Sequence, residues 1–305
     1  MTEDSSDSES NTQREIVQFK AQKYLGFFFF IYIGSYILPV LALMFYLFHM
    51  LKPLFLEIES FITILTNLDS LLIFLSLPLV VIFFYLSHLF FLGVFTRIAW
   101  RYTEKKIPTK DGIIPRDIHS KTVDYYHYRS FMIKYGKNAF MKGIFPWLAN
   151  WFFNYSGACV IGKGTTFEES VLNDRHIVVG KNCYIGNNSI LASHVVEGVF
   201  GNIVCFKVSV KDNVTLGGFN VIGPGCELED DSYLLPISFA TKFNKTKGNN
   251  YYYGIPVRRI FKRKVMDYLK ISEADLHRAE ELRLKQLNMK LTKLNEEKKT
   301  ELNVM

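Results

Sequence analysis

Two histidines in this 305-residue chain have acidic neighbours in the sequence and are 18 residues apart, which is one full coil of the repeat described below. His194 is followed by Glu197, and His176 comes after Asp174 and Arg175. An imidazole that titrates near neutrality can take a proton from a hydroxyl or amine as it attacks an acyl carbonyl, and a carboxylate can orient the ring. We therefore predict His194 as a general base, Glu197 as its partner and His176 as a neighbour that shapes the pocket. A histidine on a surface loop is the alternative for each.

Asparagines offer hydrogen-bond donors for a carbonyl oxygen near these histidines. We expect substrate binding from Asn187, Asn188 and Asn213, and Asn202 is a weaker candidate. Asparagine at a turn often serves the backbone instead, so that alternative stays open for each of them.

A six-residue repeat is the element that must position these side chains. Six-residue sides joined by tight turns return the chain every three sides, so one coil takes about 18 residues and stacked coils pair as parallel strands ~4.7–4.9 Å apart. The pattern predicts a parallel β-helix over residues 157–262. We assign its inward positions to Ile161, Phe167, Asn173, Val179, Ile185, Leu191, Glu197 and Ile203, then, after one extra residue, to Val210, Leu216, Ile222, Leu228 and Leu234. Asn173 and Glu197 break the apolar rule, and His176 and His194 would stack on adjacent coils.

Two long apolar stretches, 24–51 and 71–96, carry no formal charge. Each exceeds the ~20 residues that cross a ~30 Å hydrocarbon core, so we predict a transmembrane hairpin over 24–96. The positive-inside rule then places both termini and the β-helix domain in the cytoplasm. The basic residues that flank the two stretches are Arg14, Lys20, Lys23, Arg97, Arg101, Lys105 and Lys106, whereas the connecting loop holds Lys52 against Glu57, Glu59 and Asp69.

The remaining segments are assigned by composition. Their composition predicts a disordered polar tail over residues 1–23 and juxtamembrane or interfacial helices over residues 97–156. It also predicts a C-terminal helix over residues 263–305, which begins with the Ser272–Asp275 capping box. The net charge of +7 accompanies no nucleic-acid recognition motif, so the bilayer is the expected partner of the basic residues. Cys159, Cys183, Cys205 and Cys226 form no C-x-x-C pair, and we expect buried thiols in a reducing compartment.

The repeat segments IGKGTTF, IVVGKNCYIGNNSILASHVVEG and VSVKDNVTLGGFNVIGPGCELEDDSYLLPIS, with the closure GIPVRRI at residues 254–260, resemble the hexapeptide-repeat transferase family. The likeness extends to the membrane-linked units of poly-lysine-synthetase-type (Pls/PosA-like) peptide synthetases, in which two transmembrane helices precede each β-helix and a histidine is followed by an acid. The resemblance implies a left-handed coil, a homotrimer, active sites between neighbouring β-helices and a histidine base.

The same resemblance implies an acyl- or aminoacyl-transferase acting on an amine or hydroxyl of a small-molecule or lipid-linked substrate. Since the chain has no adenylation or carrier domain, no cofactor is expected to be bound, and the co-substrate would be an activated acyl donor, such as acyl-CoA or a carrier-linked thioester. Two alternatives stay open. One is a zinc enzyme similar to γ-class carbonic anhydrases, with His176 and His194 as ligands; our assignment has no metal. The other is a non-catalytic β-helix scaffold.

Overall fold

The computed structural model describes residues 20–56, 61–116, 118, 120–168, 171–172, 175–199 and 201–261, with scattered residues between 270 and 292. The first apolar stretch forms helix α1 (Ala21–Leu51), which contains two π-helical segments at Phe29–Ile33 and Leu47–Leu51. Two short helices follow, α2 (Lys52–Leu56) and α3 (Phe61–Thr66). The second stretch forms α4 (Leu68–Lys106), which begins where the Asn67 side chain accepts hydrogen bonds from two backbone amides. Because α4 continues without a break to Lys106, the predicted boundary at residue 96 falls inside a helix.

Helices α1 and α4 lie against each other and are long and apolar enough to cross a membrane by length and composition. In their most apolar windows only 17% and 6% of the residues are buried, so most of this apolar surface is exposed. Polar side chains contact one another between them. Ser35 Oγ lies 3.1 Å from His88 Nδ1, and Tyr46 Oη lies 2.7 Å from Ser76 Oγ.

Two further helices cover the first coil. Helix α5 (Lys121–Met141) begins at Ser120, whose hydroxyl accepts from the Val123 amide, and α6 (Ala149–Ser156) follows a 3₁₀ turn at Pro146–Leu148. Phe140, Phe152 and Phe153 are fully buried in the cluster that also contains the first coil residues. The helices predicted for this segment therefore pack on the end of the coils.

Short parallel strands form three sheets, and the chain visits them in rotation. This is the stacking that the six-residue repeat predicts, while the left-handed sense stays a prediction. The first sheet contains β2 (Cys159–Ile161), β5 (Ile177–Val179), β10 (Val208–Val210) and β13 (Glu227–Leu228). The second sheet contains β3 (Thr166–Phe167), β6 (Tyr184–Ile185), β11 (Thr215–Leu216), β14 (Tyr233–Leu234), β16 (Tyr251–Tyr253) and the antiparallel β17 (Arg258–Ile260). The third sheet contains β4 (Val171–Leu172), β7 (Ile190–Leu191), β12 (Val221–Ile222) and β15 (Phe239–Ala240).

The register departs from the prediction at one place. Ile161 pairs with Val179, and Val210 with Leu228, which is the spacing of one predicted coil, but Val179 pairs with Val210 across a much longer segment. The additional residues belong to an antiparallel hairpin, β8 (His194–Glu197) and β9 (Asn202–Cys205), and β9 also pairs with β1 (Gly112–Ile114). We call residues 192–207 the corner hairpin. The assignment of Glu197 and Ile203 as inward repeat positions, separated from Val210 by a single extra residue, was wrong.

A smaller correction concerns the first coil. Leu172, not Asn173, pairs with Leu191, so the strand register lies one residue earlier than predicted; Asn173 itself lies outside the described residues. The other inward side chains form the predicted core. Those less than 2% exposed are Val179, Ile185, Leu191, Val210, Leu216, Ile222, Leu228 and Leu234. All four cysteines are buried, and none of them forms a disulfide.

The corners between strands need left-handed backbone and close contact between coils. Asn182, Asn188 and Asn213 have φ between 53° and 58°, a region that asparagine tolerates. At Gly162 a Cβ would lie 2.4 Å from the Gly180 carbonyl oxygen of the next coil, so a larger residue does not fit. Beyond the coils, Ser272 Oγ accepts from the Asp275 amide, as a capping residue does, and the described residues from 274 to 292 are helical.

Candidate active site

The predicted catalytic residues gather at one corner of the coils. We number each corner by the sheet that its turns follow, so the turns after the first sheet form the first corner and those after the second sheet form the second corner. The third corner comprises residues 175–176, the corner hairpin, and residues 223–226 and 241–244. In β8, His194 is opposite Cys205, which is itself opposite Gly112. The corner hairpin and β1 thus bring residues 111–114 from the juxtamembrane segment onto the corner that carries His176.

His176 makes the histidine–carboxylate contact of this corner. Its Nε2 lies 2.6 Å from Asp111 Oδ1, and the same carboxylate oxygen accepts a 2.8 Å hydrogen bond from the Lys207 amide. The imidazole is 22% exposed and Asp111 is 53% exposed, so solutes can reach the pair. His176 has φ 59°, a left-handed conformation that costs a residue with a Cβ about 1–2 kcal/mol. A carboxylate held by the backbone thus orients a reachable imidazole.

His194 lies beside an aromatic ring that also contacts a buried cation. Its imidazole packs edge-on against Tyr126 of α5 at 5.3 Å between centroids, and the Arg175 guanidinium lies 4.0 Å from the centroid of the same tyrosine. Arg175 is 1% exposed and donates to the Tyr126 carbonyl oxygen at 2.8 Å and to Ser130 Oγ. Tyr126 therefore links the corner hairpin to α5.

Glu197 makes a different contact from the one predicted. Its carboxylate forms an ion pair with Lys242 of a later coil. Successive side chains of a strand alternate between its two faces, so residues 194 and 197 point to opposite sides of β8. The structure does not bring Glu197 to the His194 ring, and their catalytic roles stay predictions.

A second buried arginine holds the segment before β1 against α5. Arg129 of α5 donates to Thr109 Oγ1 at 2.6 Å and lies 3.2 Å from Glu104. Burial raises the pKa of the nearby Cys205 thiol, and Arg175 and Arg129 oppose that rise while Asp111 adds to it. Burial also lowers the pKa of His127, helped by Arg116 and Arg175, so this histidine stays neutral at neutral pH. Where α5 packs on the third corner, the buried charge is therefore mainly that of Arg129 and Arg175.

The predicted asparagines lie at other corners. Asn187 lines a 410 Å³ pocket between the second corner, the end of α5 and α6; its other lining residues are Met141, Lys142, Gly143, Pro146, Ala149, Phe167 and Glu168. Asn188 and Asn213 occupy left-handed corner positions, and Asn213 lies on the first corner. A six-residue side separates corners by roughly 15 Å. One chain therefore does not gather these asparagines around the histidines, and substrate binding by them stays a prediction.

The expected stack of His176 on His194 is not found in the backbone register. The His176 carbonyl accepts from the Val208 amide, so the coil above His176 continues after the corner hairpin and not at His194. Among the described residues, no three His, Cys, Asp or Glu side chains are grouped to hold a metal ion. The two-histidine stack on which the zinc alternative depended is therefore missing from the coil.

Sequence reasoning missed Asp111, Tyr126 and Arg175 as members of this site. Asp111 is 65 residues before His176 in the sequence. The two come together because β1 pairs with β9, and a strand of three residues is too short to show a periodic pattern in the sequence. Arg175 carried one usable signal, since an arginine directly before a corner histidine interrupts an apolar repeat.

No family model matches this sequence, and no curated protein sequence does. Solved structures with a similar fold include a hexapeptide-repeat acetyltransferase from Vibrio cholerae in complex with acetyl-CoA, 14% identical over 47% of this chain and 89% of that chain, TM-score 0.39. Others are the N-acyltransferase AntD from Bacillus cereus with dTDP and CoA (16%, 38% and 80%, TM-score 0.30) and soybean serine acetyltransferase with serine (16%, 56% and 57%, TM-score 0.30). At these identities and TM-scores the comparison supports no conclusion about this chain's activity or substrates, and the description of its fold rests on the strand pairing above.

Proposed function

We propose that this chain is a membrane-anchored transferase of the hexapeptide-repeat type that moves an acyl or aminoacyl group onto an amine or hydroxyl. The observation that carries the proposal is the His176–Asp111 pair, held by a backbone amide and reachable from solvent on the third corner. The sequence resemblance supplies the reaction class, and the parallel coils agree with it.

The chemistry needs one base and one activated donor. The histidine takes the proton of the attacking amine or hydroxyl while the nucleophile adds to the thioester carbonyl carbon. The resulting oxyanion then collapses, the C–S bond breaks, and the leaving thiolate takes the proton back from the imidazolium. The donor is an acyl thioester such as acyl-CoA, or a carrier-linked one, and the acceptor is a small molecule or a lipid-linked amine or hydroxyl.

Two histidines compete for the role of base. His194 is favoured by the sequence resemblance, with Glu197 as its partner. His176 is favoured by geometry, because Asp111 accepts from one ring nitrogen and leaves Nδ1 to take a proton, which is the arrangement by which a third group orients a catalytic base. We propose His176 as the base and His194, beside Tyr126, as a residue of the same pocket.

The proposal includes the surroundings of the site. The two apolar helices and their basic flanks support a two-span anchor with the coils in the cytoplasm. A homotrimer would bring the first and second corners of neighbouring chains to the third corner, so the asparagines absent from the site of one chain could be supplied by another.

The test is thiol release from acetyl-CoA by the detergent-purified full chain, with amino acids, amino sugars and membrane lipid extracts as acceptors. His176→Gln and Asp111→Asn are each expected to lower kcat by about 10²- to 10⁴-fold, the usual contribution of a general base. His277→Gln is the matched control, since that imidazole is exposed on the C-terminal helix. Circular dichroism verifies that each variant is folded.

The pattern of loss separates the hypotheses. A large loss in His194→Gln and Glu197→Gln, with His176→Gln active, would return the base to His194. Unchanged activity in all of these variants would contradict histidine catalysis, and a wild-type protein without acyl transfer to any acceptor would favour the scaffold.

A further inference from the structure

A second cavity lies where α1 meets α4 and α5. It has a volume of about 460 Å³, within the range of small-molecule sites. It is open on one side. Its lining is mainly aromatic and aliphatic and includes Gly26, Phe27, Phe30, Tyr102 and Tyr128, with Lys23 among them. The cavity lies near the start of α1 and the end of α4, where the apolar helices end in basic residues.

The wall of this cavity contains a buried hydroxyl. Tyr128 is 2% exposed, and its hydroxyl makes no hydrogen bond to any residue that the structure describes. Burying a hydroxyl without an acceptor is unfavourable, because the bond it made to water is not replaced. Burial, with smaller contributions led by Asp124, raises the pKa of Tyr128 to about 12, so the group keeps its proton and remains a donor. The ring of Tyr128 lines the cavity, so a small tilt of the side chain would bring this hydroxyl to an acceptor oxygen of a ligand bound there.

Two ammonium groups flank the cavity from different helices. Lys23 Nζ of α1 lies 5.5 Å from the centroid of the Tyr128 ring, and Lys106 Nζ of α4 lies 5.6 Å from that of Tyr102. The nearby carboxylate of Asp124 is paired with Lys20 at 2.7 Å. The rim is therefore cationic, and the lining is apolar apart from its tyrosine hydroxyls.

We propose that this cavity binds one acyl chain of an anionic membrane phospholipid. The chain would lie among the aromatic side chains, an ester carbonyl oxygen would accept from the Tyr128 hydroxyl, and the phosphate would lie beside Lys23 and Lys106. The inference rests on the membrane placement of α1 and α4, and it is independent of the transferase chemistry.

The test is lipid titration of the detergent-purified full chain by native mass spectrometry, with dioleoyl phosphatidylglycerol against dioleoyl phosphatidylcholine. One anionic lipid per chain is expected to bind at least ~10-fold more tightly than the zwitterionic one, since each basic residue near a lipid contributes about fivefold. Lys23→Gln should lower that preference by about fivefold. Lys52→Gln, at the other end of α1, should leave it unchanged.

A second pair of variants tests the cavity itself. A Cβ at Gly26 meets no atom within 4 Å, so Gly26→Leu can place its side chain in the cavity without displacing the backbone. It should abolish retention of phosphatidylglycerol, whereas Gln22→Leu, on the same helix and outside the lining, should not. Tyr128→Phe should raise the thermal stability of lipid-free protein, since an unsatisfied hydroxyl is removed, and lower lipid affinity.

Three results of the lipid-binding experiments would overturn the proposal. These are equal binding of the two lipids, retention of phosphatidylglycerol by folded Gly26→Leu, and preferential displacement of the lipid by palmitoyl-CoA, which would assign the cavity to an acyl donor. Extraction of the chain from membranes by alkaline carbonate would overturn the membrane placement, and with it this proposal, without bearing on acyl transfer.

Discussion

The buried guanidinium of Arg175 connects the coils to α5. It contacts the Tyr126 ring, the Tyr126 carbonyl and Ser130, all of which belong to the helix. Its side chain is 1% exposed, and its Nε makes no hydrogen bond within the described residues. A planar guanidinium can stack on a ring and donate in its own plane at the same time, which an ammonium cannot do.

We therefore expect Arg175→Lys to destabilise the protein by about 1–3 kcal/mol, since a buried charge would keep fewer partners. Arg175→Met should cost less, because an apolar chain of similar length removes the buried charge as well. Thermal unfolding in detergent, followed by circular dichroism, measures both. A lysine variant as stable as the wild type would contradict the role we assign to the guanidinium.

At this scale the sequence indicated the kind of residue but not its contacts. His176 and His194 are unusual residue types in an apolar repeat, and both lie on the third corner. Their partners were not predictable, because Asp111 and Tyr126 belong to segments that reach the corner only through the packing of β1 and α5. Glu197 was paired with His194 on sequence distance and on the family resemblance, and neither takes account of strand alternation.

The stacked sheets depend on one inward side chain per strand. Ile222 of β12 is fully buried between Leu191 and Ala240, its register partners on the neighbouring coils. Val221, directly before it, points outward and is only partly buried.

Ile222→Ala is expected to lower the free energy of unfolding by about 2–5 kcal/mol, because a buried cavity replaces the lost methylene groups. Val221→Ala, the matched change on the outer face, should cost about 1 kcal/mol or less. Denaturant unfolding of both variants measures the difference, and equal losses would contradict the inward assignment.

The repeat made the parallel coils predictable, because apolar residues six apart lie on no face of a helix and recur on every side of a coil. The corner hairpin was not predictable from the same signal. Glu197 and Ile203 fall on the six-residue phase although β8 and β9 pair with each other, and the hairpin has its own apolar residues, Val204 and Cys205, to bury. Periodicity alone does not distinguish a strand that stays in the coil from one that leaves it.

The surface of the coils carries apolar side chains at strained positions. Phe219 and Ile237 lie on consecutive coils of the second corner, each 61% exposed, with φ of 59°. A left-handed conformation costs about 1–2 kcal/mol for residues with a Cβ, and a β-branched residue there is rare. Strain and exposure together favour contact with another copy of the chain, in line with the proposed homotrimer.

We expect Ile237→Asp to shift the detergent-purified protein from three copies to one in native mass spectrometry, since a charge would have to be buried at the contact. Ile255→Asp, at an isoleucine 67% exposed in the turn after β16, is the control and should leave the assembly intact. A wild-type protein that is already monomeric would contradict the homotrimer, and a trimeric Ile237→Asp variant would place the contact elsewhere.

The corner hairpin also has a consequence for how the coils form. Along most of the coil each strand pairs with the corresponding strand of the very next turn, so a new coil closes a short loop and folding can proceed from neighbour to neighbour. Across the hairpin the loop to be closed is longer, and the hairpin must also meet β1, which lies far earlier in the chain. The coils after residue 208 can therefore stack on one another without closing that longer loop, whereas joining the first coils to them requires it.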